Sequence, residues 1–180
     1  EEGKVSMDVI DEAVERVLRV KMWLGLFGHP YVPEEVIGTY EELPAEHVAL
    51  ARKAAEESIV LLKNENELLP IDPKKKVSVV GELADKREEV VGAWSISWKE
   101  KDCVSVLDGM KERFENLEYF PCGGPSTEIN EEEIEKAAEY GDVIVAVVGE
   151  LVSMSGEARS SADSTLPGCQ RARPKKLMET

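Results

Sequence analysis

Residues 143–163 read VIVAVVGELVSMSGEARSSAD. The first six, Val143 to Val148, are an unbroken run of β-branched and small apolar side chains. Such a run suits a strand covered on both faces, as in a parallel sheet. Gly149-Glu150 ends it, and the residues that follow are polar and rich in Ser. In open α/β sheets, ligands gather beyond the carboxyl ends of the strands. The loop over 150–165 therefore lies where this kind of fold puts a site, and it carries a carboxylate, Glu157, between Gly156 and Arg159.

The segments upstream repeat the alternation. Asn130 is placed to cap a helix, with Glu133 at the capping-box position and Ile129 and Ile134 set for a hydrophobic staple. Gly141 stops that helix just before the run at 142–148. LEYF (117–120) is a short strand, and Val104–Phe114 reads as a helix on Val104, Leu107, Met110 and Phe114. VSVV (77–80) is another buried strand behind the polar lead Asp72–Lys76. SIVLLKN (58–64) also reads as a strand; Asn64-Glu65-Asn66 turns the chain and LLPI returns. Strand, helix, strand, helix, strand is the signature of parallel βαβ units.

The first third differs. Ser6 is a candidate cap, followed by Ile10, Val14, Val17, Val20 and Leu24 at steps of three and four. This predicts an amphipathic helix of about 18 residues. Gly25 and Gly28 stop it. One such helix cannot bury its own apolar stripe and needs a partner body. Gly28, Pro30, Pro33, Gly38 and Pro44 mark a linker. Pro44 suits the first turn of a second helix running to about Glu57, with Leu50, Ala51, Ala54 and Ala55 inward.

Composition limits the partners. The 180 residues are 42% apolar, enough for a core. The net charge of −15 leaves no basic stripe for phosphates, which argues against nucleic acid and anionic membrane. No apolar run approaches the roughly 20 residues of a membrane span. Glu1-Glu2-Gly3 shows no basic and then apolar leader. Cys103, Cys122 and Cys169 are widely spaced, with His29 and His47 the only histidines, so no zinc-ligand spacing is present. GxGxxG and GxxxxGK[ST] are both absent. No metal or cofactor is expected.

Five pieces match one family in order: IDEAVERVLRVKMWLGLFGHPYV (10–32), ARKAAEESIVLLKNENELLPI (51–71), KVSVVGELAD (76–85), DVIVAVVGE (142–150) and SGEARSSAD with LPGCQ (155–170). Together they resemble the β-glucosidases of glycoside hydrolase family three. That resemblance implies a (β/α)8-type barrel followed by an α/β sandwich. Residues 1–27 look like the last barrel helix, 28–57 like the linker and connecting helix, and 58–180 like an incomplete sandwich domain. The fold expected is α/β: a partial flavodoxin-like sandwich with parallel strands, preceded by an isolated helix from a missing barrel. The family's nucleophile is an Asp in a Ser-Asp-Trp segment of the barrel, and no Ser-Asp-Trp occurs here. The chain thus looks like an internal fragment of a retaining β-glucosidase, inactive alone.

By the same resemblance, Ser155-Gly156-Glu157 matches the family's acid/base loop, and Glu157 is the candidate general acid/base. Ser155 and Glu150 are candidate sugar-binding residues, Glu150 also as a support for the loop. A retaining glycosidase needs two carboxyls about 5–5.5 Å apart, one of which protonates the leaving oxygen. Arg159 is placed to pair with Glu157 or Asp163, and a cation on Glu157 would oppose an acid role. Ser161 stands where the family usually has Arg. Trp94 and Asp85 resemble packing positions of the family. The expected partners are β-glucoside substrates and the missing barrel, with a secreted or periplasmic compartment favoured over the cytoplasm. A β-xylosidase specificity and a non-catalytic accessory domain are the alternatives. The tail 171–180, with Pro174 among basic residues, departs from the family pattern.

Overall fold

The computed structural model describes residues 3–38 and 42–172. The chain divides between Val60 and Leu61 into two units. In the first, α1 spans Met7–Trp23 and α2 spans Ala45–Ser58. Ser6 stands at the N-cap of α1, but its hydroxyl makes no capping bond. Arg16 pairs with Glu12 and Arg19 with Glu15 along one face, the i,i+4 spacing that steadies an exposed helix. Neither helix buries a residue. Val14, Val17 and Leu18 lie exposed, so the stripe legible in the sequence is a surface. The reading of α2 needs correction. Pro44 opens its first turn as the N-cap, but Leu50, Ala51, Ala54 and Ala55 are exposed rather than inward.

The second unit holds the sheet. Its strands are β1 (Val77–Val80), β2 (Leu117–Phe120) and β3 (Val143–Ala146), in the order β2-β1-β3 and all parallel. Val77 sits opposite Leu117 on one side and Val143 on the other. Two helices connect the strands: α3 (Val106–Lys111) follows β1, and α4 (Glu131–Tyr140) follows β2. This is an α/β fold with the doubly wound strand order 2-1-3.

The period of two along β1 sorts its side chains onto two cores. Val77 and Val79 pack with Ala84 and with Leu107 of α3. Val80 packs on the other face with Phe120, Cys122, and Ile134 and Ala137 of α4. Every residue of β1 is fully buried. Each aliphatic side chain so placed contributes about 1.5–3 kcal/mol of transfer free energy. The one polar member, Ser78, donates its hydroxyl to the Ala137 carbonyl at 2.7 Å. A buried hydroxyl needs such a partner.

Both helix starts use side-chain caps. Ser105 accepts the Asp108 amide at 3.0 Å while Asp108 accepts the Ser105 amide at 3.2 Å, a reciprocal capping box. Asn130 accepts the Glu133 amide at 3.2 Å. The α3 helix is shorter than the predicted 104–114, because Ser105 competes for the first turn and the chain leaves helix after Lys111.

Two strand expectations change. The run at 143–148 is not covered on both faces. The strand spans Val143–Ala146, with the Val147 amide also donating to the Val80 carbonyl at 2.9 Å, and its residues are half-buried or exposed, because among the described residues β3 has one neighbour, β1, and lies at the sheet's edge. The fully buried strand is β1. The segment 58–64 is not a strand: Ile59 to Leu62 are exposed, and no strand pairs with them among the described residues. The turn after it does form, through Asn64. Its amide accepts from the Leu69 amide and donates to the Leu69 carbonyl, both at 2.9 Å. Residues 173–180 of the atypical tail lie outside the described residues.

Candidate active-site loop

Strand order 2-1-3 puts a switch point between β1 and β3, because the chain moves off in opposite directions from β1 to reach them. The segments leaving the carboxyl ends of these two strands meet there. From β1 come Glu82 to Cys103, in short 3-10 turns. From β3 comes the loop that carries Glu157. A cavity of about 510 Å³ lies between them. Ala93, Trp94 and Ile96 line one wall, and Ser155, Gly156 and Glu157 the other.

Glu157 sits in a tight turn. The Arg159 amide donates to the Gly156 carbonyl at 3.2 Å. Glu157 and Ala158 are the two central residues, and Ala158 takes φ +57°. Positive φ at the third position suits a type II turn and normally calls for Gly or Asn. Ala there is strained by about 1–2 kcal/mol, an outlier of the kind that collects at functional sites. Gly156 has φ +119°, and a Cβ on it would come within 3.3 Å of the Ala93 Cβ. Glycine at this position therefore has a twofold reason: backbone conformation and close approach of the β1 segment.

The turn holds the Glu157 side chain out in solvent. No ion pair joins it to Arg159 among the described residues. The pairing that would oppose an acid role is thus absent from this loop geometry. Asp163, the other partner considered for Arg159, is occupied differently. It accepts the Thr165 amide at 2.8 Å, and its backbone engages the Ser161 hydroxyl. The Thr165 hydrogen bonds hold the Asp163 carboxyl below the usual carboxylate range, and the charge of Arg171 adds to this. Ser161 thus serves as a local turn former, and Arg171 supplies the cation beside Asp163.

The three candidate residues are not gathered at one place. Ser155 and Glu157 share the cavity next to Trp94. Glu150 lines a second cavity of about 640 Å³, with Asp163 and Arg171. Arg159 borders both. Trp94 is 73% exposed and Ile96 fully so, which leaves the wall opposite Glu157 apolar and open. Trp98 and Asp85 do not line this cavity. Among the described residues no group of three His, Cys, Asp or Glu side chains is arranged to hold a metal ion. Among them, too, no helix is long and apolar enough to cross a membrane.

Residues with no signal in the sequence set the loop's position. Glu89, in the turn after β1, accepts the Val152 amide. Arg87, two residues earlier, reaches Asp108 in the α3 cap at 2.9 Å. The loop is thereby tied through Arg87 and Glu89 to the helix behind the sheet. Glu82 accepts hydroxyl hydrogen bonds from Ser126 and Thr127, joining the segments after β1 and β2.

Known proteins resemble this chain in sequence and in fold. Residues 59–180 match the Glycosyl hydrolase family 3 C-terminal domain. A periplasmic beta-glucosidase of Salmonella typhimurium is 35% identical over 201 residues, covering 94% of this chain and 26% of the relative. A beta-xylosidase of Formosa agariphila is 34% identical over 177 residues, covering 92% of this chain and 24% of the relative. The crystal structure of a beta-glucosidase from Listeria innocua in complex with isofagomine superposes with a TM-score of 0.85 at 36% identity, over 99% of this chain and 25% of that one. The chain therefore spans about a quarter of the length of these relatives.

Proposed function

Because this chain belongs to glycosyl hydrolase family 3 and carries its C-terminal domain, we propose that it supplies the acid/base loop of a retaining β-glucosidase, with Glu157 as the acid/base. One observation carries the reading. Glu157 stands alone and exposed on a strained turn at the sheet's switch point, facing an open apolar wall. A group delivered to a site on another domain needs that exposure.

In the first step the Glu157 carboxyl gives its proton to the glycosidic oxygen as the bond to the anomeric carbon breaks. A carboxylate nucleophile attacks that carbon from the opposite side and forms a glycosyl ester. In the second step Glu157, now ionised, takes a proton from water. The water oxygen attacks the anomeric carbon and releases the nucleophile. By the family resemblance the nucleophile is an Asp on a barrel outside these 180 residues, so the chain acts as a fragment of a larger enzyme. An acid must keep its proton near neutral pH, which requires burial or a nearby anion. Docking against the barrel supplies the burial. Ser155 neighbours the acid and would contact sugar hydroxyls; Glu150, in the next cavity, would bind a sugar hydroxyl or hold the loop.

The substrate class is a β-glucoside. Support comes from the beta-glucosidase relatives and from Listeria innocua structures described with glucose and laminaribiose. The Salmonella relative's periplasmic name supports an extracytoplasmic compartment. A β-xyloside is the second reading, favoured by the 34% identity to a beta-xylosidase.

The test uses the full-length protein that joins this chain to a barrel. Glu157→Ala should slow alkyl β-glucosides, whose leaving groups need protonation, far more than dinitrophenyl β-glucoside. General acid catalysis typically contributes about 10²–10⁴-fold. Azide should restore turnover of the activated substrate by attacking the glycosyl ester. Equal slowing of both substrates, with no azide effect, would leave Glu157 a loop residue without a catalytic role.

A further inference from the structure

We propose that Gln170 is a positioning residue for Glu157: its buried side-chain amide closes the neck of the loop and sets where the acid stands. The proposal rests on the acid/base reading above. Gln170 is fully buried. Its Oε1 accepts the Gly149 amide at 2.9 Å. Its Nε2 donates to the Gly149 carbonyl at 2.7 Å and to the Pro167 carbonyl at 2.9 Å.

Gly149 is where the chain leaves β3, and Pro167 is where the loop returns. One side chain thus binds both polar groups of the departing residue and one of the returning residue. A primary amide presents the same donor and acceptor pair as a peptide unit, so Gln170 substitutes for the strand that would otherwise pair with Gly149. Only one amide orientation works. With Nε2 and Oε1 exchanged, an oxygen would face two carbonyl oxygens.

The loop has few other anchors. Glu89 holds Val152. The bonds of Met154 to Leu151 and of Arg159 to Gly156 are internal to the loop. Glu157 therefore takes its place from the hydrogen-bonded points at the loop's base, Gly149 and Val152, together with the close approach of Gly156 to Ala93. Gly168, beside Pro167, has φ +63°, and a Cβ on it would lie 2.4 Å from the Gly124 carbonyl oxygen. The return path is thus pressed against backbone and cannot drift. Loss of the Gln170 bonds frees the departing strand, not the return.

The experiment compares Gln170→Glu and Gln170→Met with wild type and Glu157→Ala in the full-length protein. Glu keeps the size but sets a carboxylate against two carbonyls; Met keeps the volume and removes all three bonds. The readout is the ratio of kcat/KM for methyl β-glucoside to that for dinitrophenyl β-glucoside. Partial unfolding lowers both values equally and leaves the ratio alone. Misplacing an acid by about 1 Å can cost 10²-fold, so the ratio should fall by about 10–100-fold in both variants, in the direction of Glu157→Ala. Peptide-resolved amide exchange should quicken over 149–159 and stay unchanged over 77–80. An unchanged ratio in either soluble variant, while Glu157→Ala shifts it, would make Gln170 structural only and overturn the proposal. Exchange that quickens throughout the domain would overturn it as well. An unchanged ratio in Glu157→Ala itself would remove the acid/base reading and the proposal with it, a failure distinguished by which variant stays flat.

Discussion

Gly141 joins α4 to β3, and replacing it with Ala should destabilise the domain by about 2 kcal/mol. Gly141 has φ −93° and ψ 132°, which any residue can adopt, so no conformational strain enters. Ala restricts the unfolded chain more than Gly does, which favours the folded state by about 0.4–1 kcal/mol. Against this stands the space. A Cβ at 141 would lie 2.5 Å from the Ser78 Oγ, 3.0 Å from its Cβ and 3.0 Å from its backbone nitrogen. Ser78 is in the central strand with its backbone paired on both sides, so the backbone cannot yield. The hydroxyl can, but only by giving up its 2.7 Å bond to the Ala137 carbonyl. A lost buried hydrogen bond costs about 1 kcal/mol and overpacking about 1–3 kcal/mol. The opposing terms leave a net loss near 2 kcal/mol.

The assay is a double-mutant cycle by urea denaturation. Ser78→Ala alone should cost about 1 kcal/mol, since the Ala137 carbonyl still accepts the Gly141 amide at 3.3 Å. Ser78→Ala removes the closest of the three clashes. The pair should therefore cost less than the sum of the singles by about 1 kcal/mol. Gly141→Ala that is neutral or stabilising, or a strictly additive cycle, would refute the argument that close approach to Ser78 requires glycine here.

Three further outcomes follow from the same geometry. Asp108→Asn should flatten the acid limb of the stability curve. The Ser105 hydrogen bonds, and after them Arg87, hold the Asp108 carboxyl below its ordinary value near 3.8. A depressed pKa contributes stability above the unfolded value that is lost as pH falls through the folded one. Acid titration of unfolding below pH 3.8 should thus be shallower in the variant, and an identical slope would contradict the assignment. Gly156→Ala should lower activity on poor leaving groups with little change in Tm, because the strain at φ +119° is relieved by moving an exposed turn; a large Tm loss with unchanged kinetics would contradict it. The 180 residues alone should not hydrolyse aryl β-glucosides, and turnover abolished by Glu157→Ala would show that the chain holds its own nucleophile.

Much of the sheet unit was legible. LEYF matched β2, VSVV matched β1, and Asn130 capped α4 as its side chain allows. These signals are local: a short apolar run between breakers, or a side-chain acceptor three residues before a free amide. The failures share one cause. SIVLLKN has the composition of a strand but no partner among the described residues, and a strand exists only with a partner. Likewise VIVAVV is as apolar as a central strand, yet β3 lies at the edge of this sheet. Composition records what a segment can bury, not what stands beside it. Leu50 and the Ala residues of α2 are the helical case of the same limit.

Sequence by itself determined the α/β class, the parallel alternation, the family and the loop on which Glu157 sits. Each depends on residue order over a few to a few tens of positions. Tertiary structure alone decided how that loop is held. Glu89 reaches Val152 across 63 positions, and Gln170 reaches Gly149 across 21. The strained Ala158 had no sequence signal at all, since Ala is compatible with almost any local pattern. The two causes proposed for Gly141 show the difference most plainly. Sequence read it as a helix stop, which it is; the structure adds that it must be glycine because Ser78 of the neighbouring strand leaves no room for a Cβ. Hydrogen bonds and van der Waals contacts between residues distant in the chain depend on distances that only the folded backbone sets.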